Sequence, residues 1–367
     1  MKKLIKTFFV TFLGLSSTTT ILAGNPLKMV IGTYTGSGSK GIYSFDFDQE
    51  TGRATRLHTL NIQNPSYLTI SKDGKFIYAV SENNDKTAAL NCISFDTKSG
   101  KMMLMNSQLT NGADPCYVDV HKKLAITANY SGGSMSVFPI LHNGTLGKCQ
   151  QLYGGSTGGT NKKRQKDAHI HCAMFTGDGQ ILATDFSADR ILSYKYDEKN
   201  GQVSSYDGTL AAQLTPGSGP RHIAFSPNGK FAFVINELSD KITAFTYENG
   251  RLKEYQTIRS GVPNAQGGAD IHVSPDGHYL YTSNRLKSDG IAIFSISDSN
   301  GRLRKVGYQK TAIHPRNFAI TPNGLYLLVA CRDSNKIQVF KRDIEKGTLT
   351  NTHQDIKVTK PVCIKFY

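Results

Sequence analysis

The 367-residue chain has no tryptophan, and its six cysteines nowhere fall at a Cys-x-x-Cys or other metal-ligand spacing. That spacing argues against structural zinc and dithiol redox chemistry. No stretch carries helical periodicity long enough for a second domain, and the apolar run from Phe8 to Leu15 is too short to cross a bilayer. No Gly-x-Ser-x-Gly nucleophile elbow is expected, so a serine acyl-enzyme has no support. Acidic residues are few beside basic ones, 28 against 43, giving a formal charge of +15. Such an excess suits an anionic partner: an acidic small molecule, a polyanion or a membrane surface. Nucleic acid is not expected, because the basic residues are dispersed. The one dense run, Asn-Lys-Lys-Arg-Gln-Lys at 161–166, is short and reads as a solvated loop.

The first residues, MKKLIKTFFVTFLGLSSTTTILAGN, place a basic stretch before the apolar run and small residues after it. That order predicts a secretory signal over 1–23 with cleavage after Ala23; an uncleaved tether is the alternative. Loss of Lys2, Lys3 and Lys6 would leave a charge of +12. No cysteine lies near the cleavage point to carry a lipid. The mature chain is therefore expected in the periplasm or outside the cell, with no stable membrane insertion. Four of the six cysteines sit in apolar runs and are expected to be buried free thiols.

Against these absences stands a repeat. PSYLTISKDGKFIYAV, PCYVDVHKKLAITAN, IHCAMFTGDGQILATD, PRHIAFSPNGKFAFVIN, ADIHVSPDGHYLYTSN and PRNFAITPNGLYLLVA each join two short strand-like segments through a turn, a β-hairpin signal. A third strand follows each, closing at a glycine turn: Gly100, Gly144, Gly201, Gly250, Gly301 and Gly347, with Gly52 ending a unit that lacks its first strand. The spacing of 44 to 57 residues suits a four-stranded propeller blade. The C-terminal KPVCIKFY supplies the missing strand. The expected fold is all-β, a seven-bladed β-propeller over 24–367 in one domain, closed by the C-terminal strand in the N-terminal blade.

Aligning the hairpins on their turns shows which residues ring one mouth of the central channel. The first-strand positions are Ser66, Cys116, His171, Arg221, Ala269 and Arg316; those ending the second strand are Glu82, Asn129, Asp185, Asn236 with Glu237, Asn284 with Arg285, and Arg332. His169 stands two residues before His171, on the same side if the segment is extended. Imidazoles, carboxylates and guanidinium groups at a concave mouth can hold an anion and activate water. The alternative is that channel mouths are wet and tolerate polar residues.

GTYTGSGSKGIY, RQKDAHIH, GPRHIAFSPNGKFAFVINEL, VSPDGHYLYTSNR and PRNFAITPNG resemble the propeller-type lactonase family, which includes bacterial 6-phosphogluconolactonase and carboxy-muconate lactonizing enzyme. The resemblance implies a histidine, a glutamate and basic residues working on one face, with no required metal and no cofactor. Carried onto this chain, the catalytic set is His171 or His169, Glu237 and Arg221. Arg285, Arg316, Asp185, Asn236 and Arg164 are the expected substrate contacts. The implied chemistry is attack of water on a small, anionic lactone, with Glu237 or His171 as base and Arg221 and Arg285 holding the substrate anion or the oxyanion. An export signal departs from relatives that act on a cytosolic phosphosugar, so another aldonolactone or uronic lactone is an open substrate. The alternatives are lactonization by the same site, a calcium-dependent lactonase using Glu82, Asp185, Asn236 and Glu237, and a non-catalytic binding scaffold. A quinoprotein propeller is disfavoured because those repeats resemble tryptophan-docked blades.

Overall fold

The computed structural model describes residues 26–367, apart from the side chains of 205–209. The expected export signal at 1–23 lies outside the described residues. Those residues form seven sheets, with a single 3-10 turn at Arg332–Ser334 and no α-helix among them. Blade 1 has the order Pro361–Phe366, Leu27–Thr33, Gly41–Phe47, Ala54–Asn61, so both chain ends share one sheet. Ile31 pairs with Ile364 across that closure. The innermost strands of blades 2 to 7 are Leu68–Ile70, Pro115–His121, Ile170–Phe175, Pro220–Phe225, Gln266–Val273 and Pro315–Ile320. Each pairs antiparallel with the strand that follows it, as the hairpin repeat predicts.

The core lies between blades. Ile126 and Val137 of blade 3 pack with Ala173, Ala183 and Leu192 of blade 4, all nearly or wholly buried. Full burial of such an aliphatic side chain is worth about 1.5–3 kcal/mol. The repeat glycines add a second connection, because their turns dock onto the preceding blade. Tyr78 donates its hydroxyl to the Gly144 carbonyl at 2.8 Å, Tyr255 to that of Gly301 at 2.8 Å and Tyr281 to that of Gly347 at 2.7 Å. At Gly144 the backbone has φ +85°, and a Cβ there would stand 2.2 Å from the Phe76 ring. A larger residue would force the two blades apart.

All six cysteines are free, five of them buried and Cys149 half-buried. Among the described residues no helix is long and apolar enough to cross a membrane.

Candidate functional site

The ring positions share a backbone feature that repeat alignment cannot show. In blade 3, Pro115 faces Asn129 and Tyr117 faces Ala128, so Cys116 is the extra residue of a β-bulge. His171, Arg221 and Arg316 occupy the same place in blades 4, 5 and 7. A bulge bends the strand and re-aims its side chain. Four different groups are thereby turned toward the channel by one repeated irregularity.

Three of them, Cys116, His171 and Arg316, meet in a cavity of about 270 Å³ lined also by Tyr34, Glu82, Tyr130, Arg164, Glu237, Arg285 and Leu286. Glu237 is held by three guanidinium groups. Its Oε1 accepts from Arg164 Nη2 at 2.8 Å, and its Oε2 from Arg285 Nη2 at 2.6 Å and Arg221 Nε at 3.1 Å. Burial alone would raise its pKa, but Arg285, Arg221 and Arg164 outweigh that and hold the carboxyl well below the usual carboxylate range. Gly219 makes this placement possible: its φ is +61°, its carbonyl accepts the Glu237 N–H at 2.8 Å, and a Cβ there would meet Leu238 at 2.6 Å.

His171 is buried, and desolvation, followed by the charges of Arg221, His222, Arg316 and Arg285, pushes its pKa well below 6.5. The ring is therefore neutral at physiological pH. Its Nδ1 lies 3.7 Å from Cys116 Sγ, a thiol whose own pKa burial drives up. Arg316 lies 3.9 Å from Glu82 Oε1, with its guanidinium 5.5 Å from the centre of the Tyr34 ring. Tyr34 donates to Glu82 Oε1 at 2.8 Å.

Of the residues expected to touch a substrate, Arg164, Arg285 and Arg316 reach the cavity, as do His171 and Glu237. Arg164 corrects the solvated-loop reading of 161–166. Lys162, Lys163 and Lys166 are exposed, while Gln165 is buried with its amide on the Phe186 carbonyl at 3.0 Å, which turns Arg164 inward. Arg221 sits beneath the floor, fully buried between Glu237 and His222, whose Nε2 is 3.1 Å from Arg221 Nη1. His169 does not line the cavity; it stacks on Tyr130 with centroids 4.0 Å apart and bonds the Tyr130 carbonyl at 2.8 Å.

Asp185 and Asn236 are placed elsewhere as well. Asp185 accepts from Arg190 Nε at 3.0 Å and from the Ser156 N–H at 2.9 Å, and Asn236 donates to Thr243 Oγ1 at 2.9 Å. Both side chains turn into their own blades because they precede the outward step of the chain, and the next residue of the blade-5 pair, Glu237, takes the mouth. The four oxygen-bearing residues of the calcium reading are therefore not assembled. Arg332 pairs with Asp333 at 2.9 Å instead of entering the cavity.

A Gly-x-Ser-x-Gly pentapeptide does occur, at residues 154–158. It lies in a loop with no helix after it, and Ser156 Oγ accepts from Arg190 Nη2 at 2.7 Å, outside the cavity. It is no nucleophile elbow.

Tyr34, Tyr130 and Leu286 belong to the lining but were not among the expected contacts. Tyr34 lies within the quoted GTYTGSGSKGIY phrase. Tyr130 and Leu286 each directly follow a ring position, Asn129 and Arg285.

The family model described as "Lactonase, 7-bladed beta-propeller" matches residues 28–366. The chain belongs to that family. This lactonase-family propeller is 37% identical to a 6-phosphogluconolactonase of Formosa agariphila, over 90% of the chain and 96% of the relative. It is 34% identical to a 6-phosphogluconolactonase of Bacillus subtilis, over 92% and 97%. A solved structure from Bacteroides uniformis shares 55% identity with a TM-score of 0.92, covering 94% of this chain and 100% of that one. The periplasmic gluconolactonase of Pseudomonas aeruginosa superposes with a TM-score of 0.88 at 31% identity, covering 93% and 98%.

Proposed function

We propose that this lactonase-family enzyme hydrolyses a sugar lactone, preferring an anionic one, and that it acts after export. The observation that carries the reading is the convergence of Arg164, Arg285 and Arg316 on one concave mouth, with neutral His171 beside them. Guanidinium groups recognise carboxylate or phosphate through paired hydrogen bonds. The same groups stabilise the oxyanion that forms when water adds to a lactone carbonyl. Glu237 keeps Arg164 and Arg285 gathered while Arg316 stands by Glu82; Arg221 supports Glu237 from below. His171, kept neutral, can offer a hydrogen bond to the carbonyl or to the departing ring oxygen without carrying charge.

Export is supported by the order of residues 1–23 and by the likeness to a relative named as a periplasmic gluconolactonase. The 6-phosphogluconolactonase relatives support an acid-bearing sugar lactone as the substrate class.

The test is hydrolysis of 6-phosphogluconolactone, glucono-1,5-lactone and an aldonic 1,4-lactone by the mature protein, with and without chelator and corrected for spontaneous opening. Turnover above background, faster on an anionic lactone and indifferent to chelator, is expected. No turnover on any of them would contradict the reading and leave the cavity as a binding site. Loss on chelation would restore the calcium-dependent alternative.

A further inference from the structure

We propose that Glu82 is the base that takes the proton from the attacking water, while Glu237 acts as an electrostatic anchor. The assignment rests on the lactone-hydrolysis reading of the same cavity, and it changes which carboxylate performs the proton transfer.

Two carboxylates line the cavity. Both oxygens of Glu237 accept from guanidinium groups, so a proton arriving there has to displace one of three cations. Glu82 differs. Its Oε1 accepts from Tyr34; the guanidinium beside it, that of Arg316, stands 3.9 Å from the same oxygen, and its Oε2 is enclosed beside the Ser66 hydroxyl. Glu82 thus lines the cavity with no guanidinium of the described residues within hydrogen-bond distance, so a proton from a water in that space can reach it without displacing a cation.

The groups facing Glu82 come from four blades: Tyr34 from blade 1, Ser66 from blade 2, Asp114 and Cys116 from blade 3, and Arg316 from blade 7. Burial raises its pKa, and Arg316, Ser66 and Tyr34 only partly offset this, so the carboxyl is more basic than an ordinary glutamate. His171 is the weaker competitor, because burial and the neighbouring guanidinium groups of Arg221, Arg316 and Arg285 lower its affinity for a proton.

The step balances without a further reactant. The Glu82 carboxylate removes a proton from water as the water oxygen bonds to the lactone carbonyl carbon, and the π electrons move to the carbonyl oxygen. As the C=O reforms, the bond from the carbonyl carbon to the ring oxygen breaks. The ring oxygen takes the proton back from Glu82. The hydroxy acid then ionises in solvent.

The experiment uses the full mature chain and a lactone that the wild type opens. Glu82→Gln should fold with a wild-type melting curve and lose about 10²–10⁴-fold in kcat, with KM within a few-fold. Glu82→Ala should regain part of the lost rate in added formate. The acid limb of wild-type kcat/KM, where activity falls as Glu82 is protonated, should be absent from the residual Glu82→Gln activity. A folded Glu82→Gln with near wild-type kcat, or one that keeps the same acid limb, overturns the assignment. A wild type inactive on every lactone overturns the hydrolysis reading itself, and this assignment with it.

Discussion

On the side of the mouth built by blades 5 and 6 and the loop entering blade 4, three guanidinium groups close on one carboxylate. On the side built by blades 1, 2 and 7, one carboxylate meets a tyrosine hydroxyl and a single arginine 3.9 Å away. The sequence writes both residues with the same letter, and their surroundings separate them. Glu237 is held as a permanent anion, so its half of the cavity carries a fixed surplus of positive charge suited to a substrate anion or an oxyanion. Glu82 has no guanidinium of the described residues within hydrogen-bond distance and an elevated proton affinity, which is what proton transfer requires.

The comparison is broken most severely by Glu237→Gln. It removes the counter-charge from two buried guanidinium groups and the half-exposed Arg164 while keeping the side-chain shape. Leaving buried charges unpaired costs on the order of 3–5 kcal/mol. The variant should fold, unfold at lower urea, and lose turnover by orders of magnitude. Unchanged turnover would remove Glu237 from the account.

A smaller effect tests the support beneath the same half. His222 donates from Nδ1 to Asp270 Oδ1 at 2.8 Å and faces Arg221 with Nε2, and burial together with Arg221 holds its pKa at about 3 against 6.5 for the free ring. The unfolded imidazole binds a proton that the folded one refuses. The stability this contributes is therefore complete above about pH 6.5 and is lost as the pH falls toward 3. Urea titrations should show unfolding free energy lower at pH 5 than at pH 7 by on the order of 2 kcal/mol for this group. His222→Gln should shrink that difference.

The mildest change is Arg164→Ala. This arginine is 35% exposed and shares Glu237 with two buried partners. It should raise KM for an anionic lactone roughly tenfold, about 1.4 kcal/mol of lost binding, and leave kcat and the melting curve nearly unchanged. An equal effect on a neutral lactone would show that it does not contact the substrate anion.

Much of this architecture was legible in the residues. Turn glycines at a regular spacing gave the blade count, four of them docking their carbonyls on the preceding blade, and KPVCIKFY resembled a lone first strand. Cys116, His171, Arg221 and Arg316 were found by aligning hairpins, since all four occupy the same bulge. What escaped the alignment depends on side-chain direction and on loops. Asp185 and Asn236 are ring residues by position, yet Asp185 bonds Arg190 and the Ser156 N–H and Asn236 bonds Thr243, while the following residue in blade 5 turns to the mouth. Arg164 sits outside the repeat, and only the burial of Gln165 reveals that its basic run folds inward. The unequal surroundings of Glu82 and Glu237 arise from contacts across six blades and the loop entering blade 4, which no local pattern records.

The most direct test of the division between the two carboxylates is steady-state kinetics of Glu82→Gln and Glu237→Gln side by side on one anionic lactone. The account predicts that Glu82→Gln lowers kcat with KM nearly constant, whereas Glu237→Gln raises KM as well as lowering kcat, because it disperses the cations that hold the substrate. The reverse pattern, with the kcat-only defect in Glu237→Gln, would make Glu237 the base and contradict the account.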